Sequence, residues 1–173
     1  MKKRLALLQM DVHVNDVEYN YNRVQELLTQ SLTENPDIIV LPETWNTGFY
    51  PSTDLINIAD NNGDRTKALL SAFTKEHNVN IVGGSVAVSK DDLVFNTSYA
   101  YNREGTLVGE YSKMHGFSPA KEDKYFASGT HTTHFELDGI PCSTVICYDI
   151  RFPELVRMAA LPGTELLFVP AQW

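Results

Sequence analysis

The chain has 173 residues, 43% of them hydrophobic and 21% charged, and a formal net charge of −8. That length suits one domain with a sizeable core, and the composition excludes disordered and collagen-like architectures. With no basic cluster longer than Lys2-Lys3-Arg4, nothing suggests phosphate-backbone binding, so nucleic acid is not an expected partner.

The opening, MKKRLALLQMD, superficially resembles a secretory signal. Gln9 and Asp11 interrupt its apolar run and no small-residue cleavage site follows, so the segment predicts a buried first strand. Asn15 to about Glu34 predicts an amphipathic helix, with Val17, Tyr21, Val24, Leu28 and Leu32 at three- and four-residue spacing and Asn15 or Asp16 as cap. Asp37 to Leu41 is a second short strand stopped by Pro42, completing a βαβ unit whose strands should pair in parallel.

A turn at Asn61 to Gly63 precedes a second helix, about Asp64 to His77, with Leu69, Leu70 and Phe73 inward. NVNIVGGSVAV reads as one further buried strand. LVFNTSYAYN and TLVGEYSK form a hairpin across Arg103-Glu104-Gly105, and a loop runs from Met114 to about Thr132. THFELDG and IPCSTVIC pair as a second hairpin around Asp138 and Gly139, a third helix starts near Pro153, and TELLFVPAQW supplies the last strand. The pattern is an α/β layered fold in a single domain. No segment is long enough to span a membrane. Cys142 and Cys147 are five apart in what reads as one strand, an odd separation that points them to opposite faces and argues against a mutual disulfide. Together with the missing signal, this implies a reducing, cytoplasmic compartment.

In an α/β sheet, ligands gather beyond the carboxyl ends of strands. Glu43, Lys113, Glu122 and Cys147 occupy such positions. A carboxylate, an amine and a thiol can perform covalent acyl transfer: a cation or helix N-terminus favours the thiolate, roles open to Lys113 and to the helix near Pro153, while a glutamate moves the proton. Taken singly, each residue has a plainer explanation. A free cysteine ending an apolar run is usually packing, a glutamate after a strand is usually a solvated loop residue, and Glu122 lies in a charged run, AKEDK.

Three stretches, LPETWNTGFYP, EYSKMHGF and VICYDIRFPE, resemble in order and separation the three signature regions of the nitrilase superfamily of carbon–nitrogen hydrolases, and the similarity extends over the entire chain. The resemblance implies a four-layer αββα sandwich. It makes Cys147 the nucleophile, Glu43 the general base and acid, and Lys113 the cation that stabilises the tetrahedral intermediate with the backbone N–H of Tyr148. Glu122 matches an additional glutamate that positions substrate and lysine. No metal or organic cofactor is implied, and His131 and His134 are an unsuitable pair for zinc, since an i,i+3 pair in a strand faces opposite sides.

The flavour of the motifs is most like the ω-amidase branch, which deamidates dicarboxylic monoamides such as 2-oxoglutaramate. Hydrolysis of a nitrile or an N-carbamoyl compound, or an inactive remnant, are the alternatives. Arg151 is a candidate for the substrate carboxylate and equally for an internal ion pair with Asp149 or Glu154. Two features depart from the family pattern. Gly116 replaces an apolar residue, which could enlarge the pocket or simply be tolerated. The chain also stops at Trp173, corresponding to the N-terminal two thirds of the family domain, so a truncated product incomplete at the C-terminus is expected. A homodimer or higher homo-oligomer is expected of a full-length form.

Overall fold

The computed structural model describes residues 2–49 and 54–172. Among these residues the strands form a seven-stranded and a three-stranded sheet. Strand β1 (Leu5–Leu7) leads into helix α1 (Val17–Ser31) and returns as β2 (Ile38–Val40), parallel to β1 as the βαβ pattern predicted. Asp16 caps α1 by accepting the Tyr19 N–H at 3.1 Å. Tyr21, Val24 and Leu28 form its buried stripe. A one-turn helix α2 (Leu55–Ile58), absent from the sequence reading, and a two-residue strand β3 (Asp60–Asn61) lead to α3 (Asp64–His77). Left-handed Asn78 closes α3.

The first strand lies at a sheet edge and is not buried: Leu5 is 39% and Leu7 70% exposed. Its other face is inward, where Ala6 and Leu8 pack on the helix-side core. An apolar run of this length cannot reveal that a strand has only one neighbour.

NVNIVGGSVAV is likewise two strands, β4 (Asn80–Val82) and β5 (Val86–Lys90). Both pair antiparallel with β6 (Leu93–Tyr101), on the edge opposite β7 (Leu107–Ser112). The register runs from Val82↔Ala100 to Val86↔Thr97, so the β4–β5 line carries one extra residue. The interruption makes room for the chain that follows β2. Gly84 has φ +63°, and a Cβ there would lie 2.0 Å from the Pro42 carbonyl oxygen. Ser85 N–H donates to that oxygen at 3.0 Å, and Thr44 N–H donates to Ser85 Oγ at 3.0 Å. Trp45, fully buried, donates its indole N–H to the Gly83 carbonyl at 2.9 Å.

The second sheet comprises the hairpin β8 (His134–Leu137) and β9 (Ile140–Thr144), with β10 (Leu166–Phe168) parallel to β9. Ile38, Val40, Val82 and Ala100 of the large sheet pack against Phe135, Leu137, Cys142 and Phe168 of the small one. Helix α4 (Pro153–Ala160), which begins at the predicted proline, places Leu155 and Ala159 against Val145 and Leu167. Helices α1 and α3 cover the opposite face of the large sheet, giving the layer order α, β, β, α. No helix among the described residues is long and apolar enough to cross a membrane.

Two glycine substitutions separate steric closeness from backbone strain. Gly139 also has positive φ (+80°), but a Cβ there meets nothing. Gly84→Ala should cost about 3 kcal/mol or more and Gly139→Ala about 1 kcal/mol, measured as the difference in urea-unfolding free energy. Equal costs would show that the Pro42 contact does not constrain the bulge.

Candidate active site

Each of the four strand-end candidates sits in a local backbone feature that aims it inward. Glu43 enters the tight turn after β2, next to Thr44 with φ +42°, an uncommon conformation for a β-branched residue. Lys113 directly follows β7, and its N–H is held by the Asn96 carbonyl at 2.9 Å. Glu122 opens a 3₁₀ turn, Glu122–Lys124, just after left-handed Lys121. Cys147 opens another, Cys147–Arg151, with φ +47° and its N–H bonded to the Pro170 carbonyl at 2.9 Å. Strand β9 has already ended at Thr144, so Cys147 is not a strand residue and the face-alternation argument does not apply to it. Both cysteines are nonetheless free thiols. Positive φ at or beside three of the four residues is stored strain of the kind found at functional turns.

The structure brings these four residues together. Lys113 Nζ lies 2.7 Å from Glu43 Oε1 and 2.9 and 2.7 Å from Glu122 Oε1 and Oε2. Asn96 Nδ2 donates to Glu43 Oε1 and to Glu122 Oε1, each at 3.1 Å. Backbone N–H groups complete the carboxylates: Gln172 donates to Glu43 Oε2 at 3.1 Å and Phe117 to Glu122 Oε2 at 2.7 Å. The Cys147 thiol and the Glu43 carboxylate act on each other electrostatically. Glu43 is 0%, Glu122 1%, and Lys113 and Cys147 3% exposed, so all four interact outside bulk water.

Burial sets the protonation pattern. It pushes the Glu43 carboxyl above its ordinary range, and the Lys113 ammonium offsets this only in part. Burial opposes the Lys113 charge, but the facing Glu43 and Glu122 carboxylates outweigh it and hold the ammonium above its usual value. The Cys147 thiol is pushed up to about 12, by burial first and the Glu43 carboxylate second, and Lys113 does not reverse this. Lys113 favours the thiolate, as its charge requires, but does not outweigh burial. Lys113 is engaged by two carboxylates, and Cys147 opens its own single turn, with α4 starting only at Pro153. The resting pair is a thiol facing a carboxylate that can take its proton.

A third buried carboxylate, Asp149, braces the turn from below, and the sequence does not single it out. Asp149 Oδ2 accepts the Tyr111 hydroxyl at 2.7 Å and the Ile146 N–H at 3.1 Å. Asp149 Oδ1 accepts the His115 N–H and faces His115 Nδ1, both at 2.9 Å. The loop after Lys113 is thus tied to the loop around Cys147. In the sequence Asp149 reads only as a possible partner of Arg151. The available signal was its place two residues after the cysteine, inside an apolar stretch that would bury it.

Cys147 opens onto a cavity of about 370 Å³ lined by Val12, Val14, Phe49, Phe117, Tyr148 and Gln172. Tyr148 thus lines the same cavity as Cys147. Arg151 does not line the cavity: it is exposed, 5.9 Å from the Tyr148 ring centroid, and forms no ion pair among the described residues. Gly116 is not in the lining either. A Cβ there would lie 3.1 Å from the Asp123 N, so the glycine lets the loop after Lys113 lie close on the Glu122 turn. His131 and His134 are exposed, and no metal-binding cluster of His, Cys, Asp or Glu occurs among the described residues.

Residues 4–173 match the model of the carbon-nitrogen hydrolase family, and the chain belongs to that family. It is 39% identical over 173 residues to a 2-oxoglutaramate amidase of Bacillus subtilis, covering 100% of this chain and 66% of that protein. Identity to a hydrolase in the agr operon of Staphylococcus aureus is 32%, covering 98% and 66% of the two chains. Among solved structures, a CN-hydrolase superfamily protein from Xanthomonas campestris superposes with a TM-score of 0.86 at 28% identity, covering 99% of this chain and 65% of that one. A nitrilase-superfamily amidase from Nesterenkonia AN1 gives 0.85 at 22% identity, covering 98% and 65%, a likeness of fold alone. The chain thus spans about two thirds of the length of these relatives.

Because the Glu43 carboxylate raises the Cys147 thiol, Glu43→Gln should lower the midpoint of thiolate formation below about 12. Ultraviolet thiolate absorbance in a Cys142→Ala background would measure this. A midpoint that stays put or rises would mean that Glu43 does not face the thiol as described.

Proposed function

We propose that the protein hydrolyses a small aliphatic amide to a carboxylate and ammonia through a thioester on Cys147. The observation that carries this reading is a buried thiol that lines a cavity and feels the charges of the buried Glu43–Lys113 ion pair. As Cys147 Sγ attacks the amide carbon, Glu43 takes the thiol proton and the carbonyl π electrons move to oxygen. Lys113 and the Tyr148 N–H stabilise that oxyanion. Glu43 then passes its proton to the leaving nitrogen, the C–N bond breaks, and ammonia departs from the thioester. In the second half, Glu43 takes a proton from water as the hydroxyl adds to the thioester carbon. The C–S bond breaks, the acid leaves, and the proton returns to sulfur. A carboxyl raised by burial suits both directions of transfer.

For substrate, the 39% identity to a 2-oxoglutaramate amidase supports a dicarboxylic monoamide such as 2-oxoglutaramate. A second reading, a simple uncharged aliphatic amide, is favoured by the cavity itself: its lining includes two valines and three aromatic rings, and no cation among the described residues. Butyramide occupies a structure of the Nesterenkonia amidase.

Ammonia release from 2-oxoglutaramate, butyramide, an aliphatic nitrile and an N-carbamoyl amino acid should favour one of the two amides. Cys147→Ser and Lys113→Ala should each lower kcat/KM by on the order of a thousandfold or more. Turnover retained in Cys147→Ser would refute the thioester. A preference for nitrile or carbamoyl compound would refute the amidase assignment while leaving the nucleophile in place.

A further inference from the structure

We infer that Asn96 is a positioning residue for the Glu43 base, its side-chain amide acting as a neutral clamp between the two carboxylates that flank Lys113. The inference rests on the amidase reading above and deepens it.

Asn96 lies on β6, 1% exposed, and contacts the site through both its ends. Its backbone carbonyl accepts the Lys113 N–H at 2.9 Å, which fixes the base of the lysine side chain. Its Nδ2 donates one hydrogen to Glu43 Oε1 and the other to Glu122 Oε1, each at 3.1 Å. Only the NH₂ end of an amide can face two carboxylates, so the surroundings determine its orientation.

The arrangement answers an electrostatic problem. Two buried carboxylates share one ammonium, which sits 2.7 Å from Glu43 and from Glu122. Without a second donor between them, they would repel each other and turn away. A second cation would hold them but would also strip Glu43 of its basicity. A primary amide supplies two N–H groups without net charge, holding the pair in register and leaving Glu43 a usable base. It binds the same oxygen of Glu43 as Lys113 does, so Oε1 is occupied by the clamp and Oε2 receives only the Gln172 N–H. The titratable groups facing Glu43 are Lys113, Glu122 and Cys147. His115 and Asp149 pair with each other in the neighbouring turn.

The test compares the pH profile of kcat/KM in wild type and Asn96→Leu, using whichever amide the wild type turns over. Leucine keeps the branched heavy-atom shape and removes both donors. A lost hydrogen bond to a charged group should move the acid limb up by about one pH unit, a tenfold loss of rate below the limb, with kcat falling more than KM rises. A folded Asn96→Leu protein with an unmoved acid limb overturns the proposal, because a merely structural asparagine would lower stability alone. Should Asn96→Leu not fold, the wild type decides. In ¹⁵N-asparagine-labelled protein, the Asn96 side-chain amide signals should titrate with the midpoint of the acid limb, and signals that ignore that midpoint overturn the clamp. A wild type inactive on every amide would instead refute the amidase reading. The same amide signals, followed against Glu43→Gln, then decide the clamp: they should move in that variant, and unchanged signals overturn it.

Discussion

The site depends on one buried ammonium shared by two buried carboxylates. Removing Lys113, Glu43 and Glu122 from water costs several kcal/mol per ion, and their attraction recovers this only when geometry is good and the remaining lone pairs are filled. Here they are: Asn96, Gln172 and Phe117 supply donors to the carboxylate oxygens that Lys113 does not saturate. Such a cluster is a poor source of stability compared with apolar packing of equal volume. Its presence at the junction of separate loops is explained by what it fixes, since each member comes from a segment with no other reason to converge.

The fold is arranged to deliver those segments. The β4–β5 line breaks at Gly83 to Ser85 so that the chain leaving β2 can cross it, and the crossing residues, Pro42 to Trp45, carry Glu43. Trp45 anchors the turn from below, edge-on to Tyr21 of α1 with ring centroids 4.8 Å apart. On the other side, Asp149 binds the loops bearing Lys113 and Cys147 through four contacts to Tyr111, His115 and Ile146. Left-handed backbone at Thr44 and Cys147 persists because these contacts over-determine it.

How far the sequence could be read follows from the range of the forces involved. Helices α1 and α3 and both hairpins were legible because caps, periodicity and turn residues act within a few positions. The edge position of β1 and the bulge at Gly84 were not, since each depends on what another segment does: β1 has a single neighbour, and Gly84 yields to the Pro42 carbonyl. Glu43, Lys113 and Cys147 were found through motif resemblance, because spacing alone does not say that residues 70 and 34 positions apart meet. Asp149 and Asn96 were missed for the same reason. Their side chains act on atoms from distant strands, and in sequence they read as an acid in a turn and a polar break in a hairpin. The protonation state of Cys147 is not legible in the motif, because the two carboxylates that claim Lys113 are brought to it only by the fold.

Those carboxylates also explain which glutamate can be the base in the proposed reaction. Both oxygens of Glu122 are occupied: Oε1 by Lys113 and Asn96, Oε2 by Lys113 and the Phe117 N–H. A carboxylate so fully bonded has no lone pair to offer a proton in flight. Glu43 is bound by Lys113 and Asn96 through one oxygen, leaving Oε2 with a single backbone donor, and it is the Glu43 charge that acts on the thiol. Burial first, and the Glu43 carboxylate second, keep Cys147 as a thiol before substrate arrives. Attack must then be coupled to proton removal by Glu43. The charge that develops on the substrate oxygen appears next to a lysine already held by two anions, so proton transfer onto Glu43 removes one of its competitors at the moment the oxyanion forms.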